Sequence, residues 1–403
     1  MKRVAIGLLS AGHLVTDFAQ GAVPAFVPFL VLVRHWTLPM AGTFVFAMTI
    51  ASSLLQPLFG HWADRRPLHW MIPGGFLAAA FGVALIGWLP GYSVTIAVLG
   101  VAGIGVAAFH PPAARAMHRI EPKRRATAMS IFALGGNAGF ALGPLAATGA
   151  LALLGLRGSA LLCVPAVMLA IAYIIMWRSL KEAAPEPAHA SGGAALSVSS
   201  PGVNEWARFG ILSSAVFCRS VAFFALDSFL ALYWIQNLHQ RNGLGSAALS
   251  LFLAAGACGT LLGGWAADRY GRKRVVTMAF LIAAALNLAV PFAPTPLIAT
   301  LLLIPMGMAL FAPFSVMVTM GQAYLPGHIG LASGVTFGLA VTVGGVAAPL
   351  YGWLAERHGL VSIFWMTGAV LALGWLCSLL LEADSQQRAQ PAAGDPLAAE
   401  LSA

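Results

Sequence analysis

Gly60-His61-Trp62-Ala63-Asp64-Arg65 and Gly264-Trp265-Ala266-Ala267-Asp268-Arg269 are two copies of one phrase, 204 residues apart. They share the first glycine, the second alanine and the closing Asp-Arg in register. Two further landmarks repeat around them. The stretch from Gly103 to Phe109 (GIGVAAF) aligns with Gly307 to Phe311 (GMALF), again at 204. Gly139 with Pro144-Leu145 matches Gly344 with Pro349-Leu350, at 205. Ordered landmarks at a nearly constant offset mark an internal duplication, and a duplication constrains the architecture more than any single motif.

Each copy is built from apolar runs. They fall at 4–33, 40–62, 71–89, 93–114, 126–154 and 158–177, then at 208–236, 247–267, 275–293, 296–323, 329–354 and 360–381. A helix needs ~20 apolar residues to cross a bilayer core, and each run is about that long or longer. Composition demands the same solvent. The chain of 403 residues is 59% hydrophobic and 9% charged, with mean hydropathy +0.85. A water-facing surface needs about 25% charged residues. The expected fold is therefore all-α, with twelve transmembrane helices in two parallel six-helix repeats.

The organisation follows. Residues 1–177 form an N-terminal bundle and 208–382 a C-terminal bundle. The Ala-, Ser- and Pro-rich stretch 178–207 reads as a cytoplasmic linker, and 383–403 as a cytoplasmic tail. Val4 to Val33 is too long for a signal-peptide core and holds a charge, so it is expected to be a span and not a leader. Cys163, Cys218, Cys258 and Cys377 stand singly in apolar runs, as small hydrophobes do.

Charge placement gives orientation. Of 22 Lys and Arg, Arg34, Arg157, Arg241 and Arg357 fall on one side, Arg219 inside a run, and the other 17 on the opposite side. Basic loops stay inside, which places both termini in the cytoplasm and the protein in the plasma membrane. The formal charge of +9 is then an orientation signal, and nucleic acid is not expected as a partner.

Ionisable groups within hydrocarbon cost ~2.5–3.5 kcal/mol each and persist where they work. Asp17 and Asp227 are the acidic residues inside runs, and Arg219 lies at a depth close to that of Asp17. His13 and Asp17 are four apart and share a helix face, with Gln20 continuing the stripe. A carboxylate beside an imidazole can bind and release a proton, so Asp17 is expected to couple transport to protons, with Arg219 as its competing partner. A structural ion pair between the first and seventh runs is the alternative. Asp227 is a second candidate. His110, before Pro111-Pro112, is grouped with these as a candidate central-cavity or proton-coupling residue, either as a gate or, alternatively, as a helix-end histidine touching headgroups. Asn137 either lines a cavity or bonds between helices.

No GxxxxGK[ST] loop, His/Cys metal spacing or nucleophile–base set occurs in the sequence. An enzyme is not expected, nor a catalytic residue, a metal or a cofactor, and the energy source would be a proton gradient. Two parallel six-helix repeats with a site between them suit alternating access.

Gly264-x-x-x-Asp268-Arg269-x-Gly271-Arg272-Lys273-Arg274 resembles the signature loop of the major facilitator superfamily. The earlier copy keeps Gly60, Asp64 and Arg65 but lacks the later Gly-Arg-Lys. Gly139-x-x-x-Gly143-Pro144 is similar to the antiporter motif of drug–proton exporters, while Leu99 stands where the family's fourth helix would carry arginine. GHLVTDFAQG (12–21), SLLQPLFGHWAD (53–64), AAFHPPAAR (107–115), SIFALGGNAGFALGPL (130–145), GGWAADRYGRKRV (263–275) and LPGHIGLASG (325–334) resemble the fosmidomycin resistance subfamily. The resemblance implies a proton-driven exporter of a small antibiotic-like or anionic molecule, with the two Asp-Arg loops gating the inner side. Proton-coupled uptake of a sugar or organic acid remains open, as does a non-transporting sensor or scaffold. The chain is expected to work as a monomer in the bilayer, on a small-molecule substrate and protons.

Overall fold

A computed structural model describes residues 2–65, 70–120, 125–176, 204–328, 331–332, 335–336 and 340–382. The helices are α1 Lys2–Arg34, α2 Leu38–Arg65, α3 Met71–Leu85, α4 Tyr92–Ile120, α5 Arg125–Leu154, α6 Val164–Ile175, α7 Trp206–Gln236, α8 Asn242–Tyr270, α9 Arg272–Ala289, α10 Pro296–Phe311, α11 Pro313–Tyr324, α12 Ala340–His358 and α13 Val361–Leu379. Nine segments among the described residues are long and apolar enough to cross a membrane. One of them, Ile131–Ile175, takes in α5 from Ile131 onward together with α6. Met71–Leu85 is a shorter apolar helix, and α12 completes the set, so the described helices make twelve rods. The tenth run is one rod broken at Ala312, where Pro313 starts α11. The chain is a multi-pass membrane protein.

Most expected runs become helices with shifted ends. The sixth begins as a 3-10 stretch, Gly155–Cys163, before α6. Trp206 and Arg208, placed by sequence at the linker border, already belong to α7. Most of the linker and the whole tail lie outside the described residues, as does part of the eleventh run ahead of α12. At Gly271 the chain passes from α8 to α9 with φ 91°, a conformation that costs little only for glycine.

Without water to drive helices together, small residues let backbones approach. A Cβ on Gly135, Gly139 or Gly143 of α5 would stand 2.3 Å from the Ser10 carbonyl oxygen, 2.0 Å from that of Leu14 and 2.5 Å from the Ala22 nitrogen. Helix α5 therefore lies directly on α1. The duplication recurs in these contacts. Gly103 on α4 faces the Met48 carbonyl on α2, and Gly307 on α10 faces the Phe252 carbonyl on α8. Both partners are offset by the same 204 residues.

The first six helices meet the last six at equivalent places. Gly42 on α2 approaches the Ala348 carbonyl on α12, and Gly352 approaches that of Leu38. Thr148 on α5 hydrogen-bonds Ser246 on α8. These contacts lie toward the face opposite the N-terminus, here the far face. There every residue from Gly21 to Pro28 of α1 and from Phe224 to Trp234 of α7 is buried. Toward the near face, Gly7 and Gly210 have nothing within 4 Å of where a Cβ would stand. Among the described residues, the close contacts between the two sets gather at the far face.

Candidate functional site

Midway along α1, Asp17 holds two imidazoles. His13 Nε2 lies 3.2 Å from Asp17 Oδ2, one turn away on the same helix. His110 Nε2, from α4, lies 3.1 Å from Asp17 Oδ1. Each ring is anchored through its other nitrogen. His13 Nδ1 is 2.7 Å from the Phe132 carbonyl oxygen on α5, and His110 Nδ1 is 2.9 Å from that of Val106 on α4. A carbonyl oxygen only accepts, so both Nδ1 atoms donate and the tautomer of each ring is assigned by this bonding.

Aromatic rings fix the set. Phe132 stacks on His13 at 4.1 Å between centroids, and Phe109 stands 6.2 Å away. The three polar side chains are not sealed off: His13, Asp17 and His110 retain 12%, 16% and 22% of their exposure. Their donor atoms lie within 4.8 Å of one another, close enough to share a proton or a small cation. Sequence spacing gave no sign of such a set, because α4 contributes its member from 93 residues away.

Gly136 makes the cluster possible. A Cβ there would stand 2.5 Å from His13 Nε2 and 2.6 Å from Asp17 Oδ2. In the sequence this glycine stands only inside the 130–145 stretch, with nothing to set it apart. The Phe132 carbonyl was also missed, since main-chain acceptors carry no residue signature.

Arg219 is not the partner of Asp17. It is buried, at 7% exposure, and its guanidinium sits 4.8 Å from the ring centre of Phe314 on α11. Its Nε finds no hydrogen-bond partner among the described residues. Depth matched and azimuth did not: α7 turns Arg219 toward the last six helices. Neither the coupling pair nor the alternative ion pair between α1 and α7 is present in this conformer.

Asp227 is 2% exposed and its Oδ1 has no hydrogen-bond partner among the described residues. With Gln20, Thr49, Phe140 and Phe224 it lines a cavity of ≈ 10 Å³ where α1, α2, α5 and α7 converge, enough for about one water. Gln20 thus joins Asp227 and not the histidines. Asn137 is exposed on α5, one turn before Phe140.

Gly139 and Gly143 bring α5 onto α1, and Pro144 is buried beside them. Of the Asp-Arg loops, Gly60 lies near Pro111, while the side chains of Asp64 and Arg65 lie outside the described residues. In the second copy Gly264 has only Ser315 near, at 3.9 Å. Asp268 is exposed and makes no ion pair or hydrogen bond among the described residues. Arg269 stacks on Trp265 and Tyr270, at 5.8 and 5.7 Å, and Arg272 has a partner of its own.

The sequence model of the Major Facilitator Superfamily matches residues 9–349 and 212–402. An uncharacterized MFS-type transporter of Bacillus subtilis, YfnC, is 30% identical over 377 residues, covering 91% of this chain and 90% of its own. The fosmidomycin resistance protein of Escherichia coli is also 30% identical, over 378 residues covering 93% and 92%. A bacterial homolog of the human lysosomal transporter Spinster, solved inward-facing and occupied, superposes with a TM-score of 0.78 at 15% identity, covering 96% of this chain and 98% of that one. The duplicated rods, the glycine-tight helix pairs and these likenesses agree: the chain is a membrane transporter of the Major Facilitator Superfamily.

Proposed function

We propose that the protein exports a small anion in exchange for protons, with a phosphonate such as fosmidomycin representing the substrate class. One observation carries the reading: a carboxylate bridged by two imidazoles stands at mid-span, with all three side chains still partly exposed. Such a group takes up a proton from one side and gives it to the other as access alternates. Arg219 supports the anionic substrate. A guanidinium beside an aromatic face, with a donor unused, can receive a phosphonate or carboxylate through charge-assisted hydrogen bonds. Asp17 and its histidines then carry protons on the first six helices, while Arg219 carries the substrate on the last six.

The charge bias supports a cytoplasmic near face, in the plasma membrane, with the chain acting as a monomer. In that orientation the near face is the inner one, and the loops at Asp64-Arg65 and Asp268-Arg269 gate it. Kinship with a fosmidomycin resistance protein at 30% identity supports the substrate class.

Growth of a sensitive host on a drug panel that includes fosmidomycin, with and without an uncoupler, tests the reading. Resistance is expected with the wild type, and it should vanish with the uncoupler, with Asp17→Asn and with Arg219→Gln. Resistance that survives both the uncoupler and Asp17→Asn refutes proton coupling.

A further inference from the structure

We propose that His13, Asp17 and His110 form a clamp that binds two protons as a unit and makes the polar link between α4 and α1 only while both are held. The inference rests on the proton-coupled reading and specifies how its carboxylate works.

The count follows from donors and acceptors. Both Nδ1 atoms are committed to carbonyl oxygens, at 2.7 and 2.9 Å, so each ring meets Asp17 through Nε2. Two contacts, Nε2 to Oδ2 and Nε2 to Oδ1, span 3.2 and 3.1 Å. Each needs one hydrogen between a nitrogen and an oxygen that otherwise oppose lone pairs. Two protons fill both, whether they sit on the two imidazoles or on one imidazole and the carboxyl. The net charge is +1 in either case. With one proton gone, one contact sets lone pair against lone pair.

The arm that yields is the one to His110. His13 shares a helix with Asp17 and is pinned by Phe132 stacking. His110 stands on α4 directly before Pro111 and Pro112. Neither proline has an N–H to give the carbonyls of Ala107 and Ala108, so α4 is weakened at this turn. On release, the proton passes from the partly exposed His110 to water, and the turns from Pro111 to Ile120 lose their polar link to α1 and keep only the apolar packing of Ala113 and Met117 near Ala5 and Leu9. Uptake of a proton restores the link.

The surroundings add no competing charge among the described residues. Phe132 and Gly136 face the set from α5, Phe109 from α4 and Phe76 from α3. Tyr173 of α6 stands behind Phe76, and Arg219 of α7 is turned to Phe314.

Hydrogen–deuterium exchange of the α4 segment 105–120, with a chelator present, tests the clamp. His110→Gln supplies an amide N–H that bonds Asp17 at every pH, and His110→Ala supplies none. Comparing variants at equal pH cancels the intrinsic exchange rate. The wild type should match His110→Gln near pH 5. By about pH 9 it should exchange about ten- to hundredfold faster, as expected for one lost charge-assisted hydrogen bond, and match His110→Ala. Over the same range it should release two more protons per chain than a His13→Gln/His110→Gln double variant. A wild-type to His110→Gln ratio that stays flat overturns the clamp, and a difference of one proton overturns its count. If His110→Gln fails to fold, convergence of wild type and His110→Ala at high pH alone is the readout. A flat ratio with transport still lost in Asp17→Asn refutes the clamp and spares the transport reading. A pH-dependent ratio with Asp17→Asn fully active does the reverse.

Discussion

Gly136→Ala adds one methyl group at the centre of the cluster, and its consequence can be worked from distances. The new carbon would stand 2.5 Å from His13 Nε2 and 2.6 Å from Asp17 Oδ2, where ordinary contact begins near 3.4 Å. One or both polar groups must retreat by about 0.8 Å. A retreat of that size stretches the 3.2 Å contact between His13 and Asp17 to about 4 Å, beyond hydrogen-bond range. The loss of one charge-assisted hydrogen bond, ~1.5–3 kcal/mol, corresponds to about a ten- to hundredfold fall in proton-driven transport. Helix α5 itself gains, because alanine is ~1 kcal/mol better than glycine in a helix interior. The variant should therefore fold and insert as the wild type does. Gly149→Ala is the matched control on the same helix, with nothing within 4 Å of its Cβ, and should transport normally. Vesicle uptake under a pH gradient, normalised to protein inserted, is the assay. Equal transport by Gly136→Ala and Gly149→Ala would refute a working role for the cluster.

Arg219→Lys keeps the charge but loses the flat stack on Phe314, and should raise KM about tenfold for a loss of ~1.4 kcal/mol, read in substrate-dependent uptake. Gly42→Val should hold the far face ajar, since its Cβ meets only backbone, 2.5 Å from the Ala348 oxygen. Overpacking of this kind costs ~1–3 kcal/mol, and far-face thiol labelling should rise as transport falls. Gly271→Ala forces a side chain into φ 91° at ~1–3 kcal/mol, and should lower the melting temperature in detergent while leaving KM unchanged.

The rods were legible because lipid imposes one rule on every span: a long apolar run. The duplication was legible because Gly103 and Gly307 are needed for the same close approach, and a needed glycine survives as a sequence landmark. Helix ends were less so, since breaks at Ala312 and Gly155 depend on local backbone choices. Within the site, His13 and Asp17 could be paired from their spacing, because one helix turn sets their geometry. His110 could not, because its reach to Asp17 depends on how α4 crosses α1. Arg219 was matched to Asp17 by sign and depth, and neither quantity says which way a helix is rotated. Gly136 carried only the generic signal of a small residue in a tight helix.

Proton movement driven by substrate tests the central claim most directly. Wild-type protein is reconstituted in vesicles holding a pH-sensitive dye, with no gradient imposed, and fosmidomycin is added to one side. The account predicts proton flow opposite to the drug, abolished in Asp17→Asn at equal insertion. Drug movement that leaves internal pH unchanged, or proton flow that persists in Asp17→Asn, would contradict it.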